Sequence, residues 1–394
     1  MYERAKQRPW AGWRQATGVV VAMACAHVAA QVQSVPPIVD HYAGATLLVA
    51  PVATPIAPPV GVTSEAEYLS VYGQQPAGIA DPGRTAARLF FDHGGERLYV
   101  AAQATNDAAG FRGALADSCS LDVDLVVAAT VECCTDDSAD HAALMNDLAA
   151  HATGTRQRFA LLAPPQGSGA TDLLAFRAAL GDTPAAALHA PWLVVPDPGA
   201  AGSVTVPASA AVAGIVSRID TTEGMHVSPA GTRAEVLADA LESDLSADAD
   251  ALNVESVNAI RAFASPAGLF VWGARTLAAS PEFRFIAPTR LYRHMAHSVT
   301  ESMQWVRDEN SADVDPADVE SRLETWLFGY WQAGSFQGAS PDEGYFHSCS
   351  SDLVSLRCIV GIAPVRPAEF MVFSVDVAFS EVLFRSDFVD ADCG

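Results

Sequence analysis

The sequence has almost no lysine: Lys6 is the only one among 23 basic residues, so arginine supplies the rest of the positive charge. A Walker-type phosphate site, a protein-kinase site and a Schiff-base site each need a lysine in the folded protein, and this scarcity excludes all three. Charged residues make up 18% and aromatic residues 8% of the 394 positions, whereas 50% are hydrophobic. This composition excludes a disordered acidic tail and indicates two or three domains with buried cores.

Positive charge is also in deficit, because 46 acidic residues against 23 basic ones leave a net charge of −23. Such a chain repels phosphates, so neither nucleic acid nor an anionic membrane is expected as its main partner. The apolar stretch Ala16–Ala30 is shorter than the ~20 residues of a membrane span, and no membrane anchor is expected. Residues 1–30 fit a secretory signal, but Thr17–Val21 equally fits a β-branched strand in an extended arm.

Seven cysteines are present without a CxxC pair, at positions 25, 119, 133, 134, 349, 358 and 393. Neither the adjacent Cys133-Cys134 nor the nine-residue separation of Cys349 and Cys358 matches a zinc site. The cysteines are therefore interpreted as small buried hydrophobic residues or inert thiols.

Between residues 85 and 219, apolar runs alternate with helical patterns. The predicted strands are Leu98–Gln103, Val123–Thr130, Arg158–Ala163 and Trp192–Val195, and the predicted helices are Arg84–Phe91, Asp140–Thr153, Asp172–Leu180 and Pro207–Ile219. Val123–Thr130 is mainly apolar, which is typical of a strand buried on both faces. The alternation favours an α/β domain with a largely parallel sheet.

After Gly231 the pattern changes. Arg233–Leu245 is predicted as an acidic helix and Leu269–Trp272 as a strand. Pro288–Val306 shows apolar residues at four-residue spacing, and a second helix begins at the capping residue Asp315. The final strand alternates apolar and small or polar residues from position 371 to position 379.

A serine, a histidine and an aspartate can be placed in the α/β part. Ser209 opens a small-residue helix that resembles the nucleophile helix of subtilisin-type proteases. His141 with Asp122 or Asp124 would complete a triad, but the glycine-threonine before the serine and the proline-histidine within the helix are missing. We therefore expect kinship of fold without catalysis, with no catalytic residue and no cofactor. A secreted hydrolase of this fold is kept as the alternative.

One helix carries His294 and His297, with Glu301 four residues beyond His297. Histidines three residues apart can bind a metal from one helix face, but no matching third ligand is evident. A solvated or interface face is the preferred interpretation, and no metal is expected.

Motifs from about residue 190 onward occur in a characteristic order. They are Ala190-Pro191-Trp192-Leu193, Ala213-Gly214-Ile215, Arg218-Ile219-Asp220, Val271-Trp272-Gly273-Ala274-Arg275-Thr276-Leu277 and Gly361–Phe370. In these motifs and their spacing the chain resembles a contractile phage tail sheath protein, over roughly three-quarters of its length.

The resemblance implies a subtilisin-like α/β domain without protease activity, a C-terminal α+β sheath domain and extended N- and C-terminal β arms. The expected divisions are an N-terminal arm at 1–44, a strand and helix segment at 45–84, the α/β domain at 85–250, the α+β domain at 251–370 and a C-terminal arm at 371–394. No enzyme is implied.

By the same resemblance, the chain is the structural protomer of a sheath that stacks as hexameric rings around a tail tube and contracts to drive the tube through a host envelope. Its partners would be further copies of itself, the tail tube protein, and baseplate and tail terminator proteins. Its place would be a virion tail assembled in the host cytoplasm. The sheath of a non-viral injection system or a bacteriocin is the alternative.

In such a sheath the arms add strands to neighbouring subunits. The inter-subunit positions would be Gly18, Val19, Val20 and Val21 in the first arm and Phe373, Val375, Val377 and Phe379 in the second. Arg290 and Arg293 would face the tube, with ordinary intramolecular ion pairs as the alternative. Cys25 and Cys393, one on each arm, would form an inter-subunit disulfide in oxidising surroundings.

Overall fold

A computed structural model describes residues 35–378 except residues 43, 77–78, 133–137, 155–156, 309–313, 353 and 366–370. The helices are α1 (Glu65–Tyr72), α2 (Pro82–Asp92), α3 (Ala108–Ala116), α4 (Ser138–Thr153), α5 (Ala170–Ala179), α6 (Ser209–Thr222), α7 (Ala249–Val254), α8 (Ile286–Ser302), α9 (Pro316–Gln332) and α10 (Pro341–Gly344), with a 3-10 helix at Gln304–Asp308. The strands are β1 (Ala45–Ala50), β2 (Val60–Val62), β3 (Arg97–Ala102), β4 (Leu125–Ala128), β5 (Phe159–Leu162), β6 (Ala186–Ala190), β7 (Leu193–Pro196), β8 (Ser203–Val206), β9 (Glu235–Val236), β10 (Ala240–Leu241), β11 (Val257–Ala264), β12 (Ala267–Val271), β13 (Tyr345–Ser351), β14 (Ser355–Ile362) and β15 (Met371–Ala378).

Nine of these strands form one mixed sheet in the order β2-β3-β1-β4-β5-β6-β11-β12-β9. Neighbouring strands are parallel from β3 through β11, whereas β2, β12 and β9 are antiparallel to their partners. Every residue of β4 and β5 is buried, as expected for strands covered on both faces. One apolar core lies under α1, α2 and α6, and a second lies under α3, α4, α5 and α7.

The sheet extends past both predicted limits of the α/β domain. β1 precedes residue 85 yet pairs with β3 and β4 near the middle of the sheet. β11 and β12 follow residue 250, and β11 pairs with β6. The nine strands therefore come from residues 45–271, and we call this stretch the α/β part.

Helix ends follow the capping residues of the sequence. Ser64 caps α1 by accepting a hydrogen bond from the Glu67 amide, and Asp315 caps α9 by accepting one from the Ala317 amide.

Gly214 lies where α6 crosses α2, and a Cβ there would clash with the Phe90 carbonyl oxygen. The glycine thus permits close helix contact.

The predicted helix at Arg233–Leu245 is wrong. This stretch contains the short strands β9 and β10, which pair antiparallel with β12 and β7. Ala234 and Val236 are buried in the first core. Pairing with two existing strand edges outweighs the helix preference of the acidic residues.

The C-terminal part consists of α8, α9 and the antiparallel sheet β13-β14-β15. A third core joins α8 and α9 to the sheet through Leu291, Met295, Leu323 and Val360. Val35 and Ile38 also belong to this core, although they precede the α/β part in the chain.

Candidate functional site

The antiparallel sheet β13-β14-β15 has two outer strands that differ in their surroundings. β14 pairs along its whole length with both neighbours. Two glutamates of α9 bind β13: Glu320 Oε1 accepts a hydrogen bond from the Cys349 amide at 2.6 Å, and Glu324 Oε1 accepts one from Tyr345 Oη at 2.9 Å. Within the described ranges, β15 has no strand neighbour on its outer side. The outer edge of β15 therefore has no strand partner within those ranges, whereas β13 is bound by α9.

β15 confirms the predicted final strand at Met371–Ala378. Val375 and Val377 are buried in the third core, and Phe373 lies opposite Val360 in the strand register. The side chains of Val375 and Val377 are therefore used within their own subunit.

A disulfide joins Cys349 of β13 to Cys358 of β14. The two residues stand directly opposite each other in the register, with their Cα atoms 4.1 Å apart. The interpretation of these cysteines as inert thiols is therefore wrong, because antiparallel pairing brings together residues that sequence spacing treats as separate.

Residues 35–42 lie on α8 and α9 and form a segment that we call the arm anchor. Two serines one helical turn apart on α8 bind its backbone: Ser302 Oγ accepts from the Val39 amide at 2.9 Å, and Ser298 Oγ accepts from the His41 amide at 3.0 Å. Val35 and Ile38 are buried beside α8 and α9. The anchor is therefore held on α8 and α9 by its backbone and by two buried side chains.

Asp40 is the polar centre of the arm anchor. Its Oδ1 accepts hydrogen bonds from Trp326 Nε1 at 3.0 Å and from Tyr330 Oη at 2.6 Å, and His294 Nε2 lies 3.4 Å away. Burial raises the pKa of Asp40, but the hydrogen bonds from His294 and Tyr330 outweigh it, so the net pKa is below the usual value. Asp40 is thus held as a carboxylate.

A buried ion pair links α6 to α8. Arg290 Nη1 donates to Asp220 Oδ1 at 2.9 Å, and Arg290 Nη2 donates to Asp220 Oδ2 at 2.6 Å. Tyr42 Oη donates to the same aspartate at 3.3 Å. Burial raises the pKa of nearby Asp124 to about 7, although the Arg290 charge partly opposes the rise.

Arg290 and Arg293, the expected tube-facing residues, are both engaged inside the subunit. The side chain of Arg290 is only 4% exposed, in its ion pair with Asp220. Arg293 Nη2 donates to the carbonyl oxygens of Ala152 and Arg158 at 2.8 and 3.1 Å, which ties α8 to the α/β part. Arg290 thus makes an intramolecular ion pair, as in the alternative, whereas these partners of Arg293 are backbone carbonyl oxygens.

Ser209 and His141 line one small cavity of about 10 Å³, as the hydrolase alternative requires. Ser209 is 1% exposed, however, and its hydroxyl donates to the Ala128 carbonyl oxygen at 3.2 Å. His141 Nε2 donates to the Ala163 carbonyl oxygen at 3.1 Å, so it is not positioned to take a proton from the serine. Asp124 lies in the group around Arg290 instead.

The histidines of α8 occupy different surroundings. His294 is buried against Asp40 and Tyr330, whereas the ring of His297 contacts that of His41, with centroids 5.8 Å apart. Across the described positions there is no cluster of three residues able to hold a metal. No helix there has the length and hydrophobicity of a membrane span.

Several predicted residues lie outside the described ranges. They are Gly18, Val19, Val20, Val21, Cys25, Phe379 and Cys393. The strand-lending and disulfide roles assigned to them remain predictions.

Comparison with known proteins shows which fold the chain has. No protein-family model matches the chain, and no curated protein matches it. The contracted helical sheath of the anti-feeding prophage matches with a TM-score of 0.69 and 21% identity, over 94% of this chain and 99% of that one. The contracted PVC sheath, from an extracellular contractile injection system, matches with a TM-score of 0.66 and 21% identity, over 92% and 98%.

A sheath tail protein from Desulfitobacterium hafniense also matches, with a TM-score of 0.60 and 10% identity, over 87% of this chain and 98% of that one. All three structures are sheath proteins, and each is covered almost completely. The chain therefore has the fold of contractile sheath proteins over nearly its whole length.

Proposed function

We propose that the chain is the structural protomer of a contractile sheath, stacked as hexameric rings around a tail tube. The observation that carries the proposal is the fold match, which covers 98–99% of the PVC and anti-feeding prophage sheath chains. A match of this extent includes the C-terminal sheet and the helices around the arm anchor, not only the widespread α/β part. The proposed role is structural and not enzymatic.

Assembly would depend on strands exchanged between copies. The open edge of β15 is the acceptor, and the β-branched residues Val19, Val20 and Val21 of a neighbouring copy are the donor strand. The arm anchor supports this assignment because it places Val35 and Ile38, near the end of the N-terminal arm, in the same core as β15. Pairing would satisfy backbone groups that an unpaired edge leaves exposed.

We further infer that the α/β part is related to subtilisin-type folds but has lost their activity. Its parallel strands and the position of Ser209 at the start of α6 support the relationship. The burial of Ser209 and the backbone partner of its hydroxyl support the loss of activity.

In the proposed mechanism, contraction needs no nucleotide. The extended sheath is metastable, and the contracted lattice buries additional surface between copies. The tube, the baseplate and a terminator protein are the proposed partners. Assembly would take place in the host cytoplasm, and the finished sheath would belong to a tail.

A non-viral injection system is the second candidate, and one observation favours it. The two matches at 21% identity come from an extracellular contractile injection system and an anti-feeding prophage, whereas the sheath tail protein matches at 10%. Electron microscopy of particles from the producing cell separates the two candidates, because a phage carries a DNA-filled head on its tail.

The function itself is tested by expressing the chain and examining it by negative-stain electron microscopy. Tubular polymers with six-fold symmetry are expected. Val20→Pro should abolish the polymers because proline lacks the backbone N–H that would donate a hydrogen bond to the neighbouring strand. Val20→Thr keeps that N–H and should preserve the polymers. Circular dichroism should show the same folded subunit in both variants. Polymers formed by the chain without residues 1–34 and 379–394 would refute strand exchange.

A further inference from the structure

An open cavity of about 400 Å³ lies beside the arm anchor. It is bounded by the anchor, by the end of α6 and by the facing sides of α8 and α9. The residues that matter for its chemistry are Asp40, Tyr42, Glu223, His294 and Tyr330. The cavity is large enough for a small ligand or for one long side chain of another protein.

The polar groups of this cavity are mainly hydrogen-bond acceptors. Asp40 and Glu223 contribute carboxylates, and their side chains are 50% and 38% exposed. All the hydrogen bonds described for Asp40 end on Oδ1, so Oδ2 takes none of them. A ligand that fits such a lining must bring donors.

His294 adds a buried acceptor. Tyr330 Oη donates to Asp40 Oδ1, so the hydrogen bond between Tyr330 Oη and His294 Nε2 at 3.1 Å must have the histidine as donor. In the tautomer whose single ring hydrogen is on Nε2, Nδ1 carries a lone pair. His294 is 4% exposed, and Nδ1 has no hydrogen-bond partner among the described residues. A buried acceptor of this kind calls for a donor that the described chain does not provide.

The charge balance of the lining is negative. Arg290 neutralises Asp220 in a two-point ion pair, and Arg233 Nη1 lies 3.2 Å from Glu223 Oε2 at the half-exposed rim. Asp40 has no arginine within salt-bridge distance among the described residues. The rings of Tyr42 and Tyr330 add aromatic surface, which attracts a planar cation.

We infer that this cavity binds a guanidinium group. A guanidinium brings five N–H donors in a plane and a positive charge, which suit a lining that contains the carboxylates of Asp40 and Glu223. Its source is either a free small molecule or the arginine side chain of another protein chain. Binding at this cavity requires only the folded subunit and is independent of sheath assembly.

Isothermal titration calorimetry of the full-length chain tests the inference with three probes. Agmatine represents a free guanidinium compound, N-acetyl-argininamide represents an arginine in a protein, and N-acetyl-citrullinamide is the neutral isostere of the latter. Saturable binding of one or both guanidinium probes is expected, with at least tenfold weaker binding of the citrulline probe. Tighter binding of agmatine identifies a free ligand, and tighter binding of the argininamide identifies a protein side chain.

Two variants locate the site. Glu223→Gln removes a rim charge and should weaken guanidinium binding about fivefold to tenfold. Glu96→Gln, on an exposed glutamate of the α/β part, is the matched control and should leave binding unchanged. Absence of binding by both guanidinium probes, equal binding of the citrulline probe, or an unchanged affinity in Glu223→Gln would each overturn the inference.

Discussion

Arg290 and Asp220 meet in a two-point ion pair whose side chains are 4% and 3% exposed. Asp220 lies near the end of α6, and Arg290 lies in the second turn of α8, 70 residues later. The pair therefore joins the α/β part to the C-terminal part at a point that water does not reach. Its two charges are satisfied by each other, and loss of either leaves the other buried and uncompensated.

Removing one partner of this pair is expected to be costly. Arg290→Met should lower the free energy of unfolding by about 3–5 kcal/mol in urea denaturation, because it leaves the Asp220 carboxylate buried. The double variant Asp220→Leu with Arg290→Met should regain part of that loss. Arg233→Gln, which breaks a half-exposed ion pair, should cost less than ~1 kcal/mol. Equal effects of Arg290→Met and Arg233→Gln would contradict the prediction.

Stability should depend on pH through Asp124. Its folded pKa of about 7 lies above the ordinary value of 3.8, so the folded state binds the proton more strongly. The resulting stabilisation is complete below the unfolded pKa and is lost as the pH rises through about 7. Asp124→Asn mimics the protonated form and should be more stable than the unmodified chain at pH 8, by roughly 1–3 kcal/mol, and similar to it at low pH.

The measurement is the difference in unfolding free energy between Asp124→Asn and the unmodified chain, from low pH to pH 8. Taking the difference cancels the contributions of the buried histidines, which both proteins share. Asp117→Asn, on an exposed aspartate, is the control and should give a flat difference. A flat difference for Asp124→Asn would show that the folded and unfolded states bind the Asp124 proton equally, and would contradict the prediction.

The arm anchor should loosen when Asp40 is removed. Asp40→Ala leaves Trp326 Nε1 and Tyr330 Oη without their acceptor, at an expected cost of about 1–3 kcal/mol. Chymotrypsin should then cleave after Tyr42 faster than in the unmodified chain. Asp239→Ala changes an exposed aspartate elsewhere and should leave the cleavage rate unaltered. Unchanged cleavage in Asp40→Ala would mean that the serines of α8 hold the anchor without it.

The disulfide between Cys349 and Cys358 should stabilise the C-terminal sheet. A loop of this length corresponds to about 2–3 kcal/mol, so the double variant Cys349→Ser with Cys358→Ser should unfold at lower urea concentration. Peptide mass mapping without reductant should recover the two cysteines as one linked species. Free thiols at both positions in the purified chain would contradict the bond.

The sequence predicted the regular elements that carry their own local signals. The strand at β4, the helix capped by Asp315 and the alternating strand β15 all lie within a few residues of their predicted positions. Each has an apolar pattern or a capping residue that acts within a few positions of the chain, so no distant contact is needed to recognise it.

Elements that depend on distant partners were missed. β6 and β11 were not predicted, because the small residues of Ala186–Ala190 give no strand pattern until β5 and β11 flank them. The hairpin of β13 and β14 and its disulfide were missed for the same reason. The ion-pair partner of Arg290 was not identified, because Asp220 is 70 residues away in the sequence. Sequence spacing does not show which distant residues become partners, because only the tertiary fold brings these groups together.

The arm anchor and β15 belong to one small core, which also contains α8 and α9. Both routes out of the described chain, before residue 35 and after residue 378, therefore start from the same body. In the proposed sheath, a pull along either arm would act first on these two helices and three strands. The nine-stranded sheet is joined to this core by the buried contacts of Arg290 and Arg293.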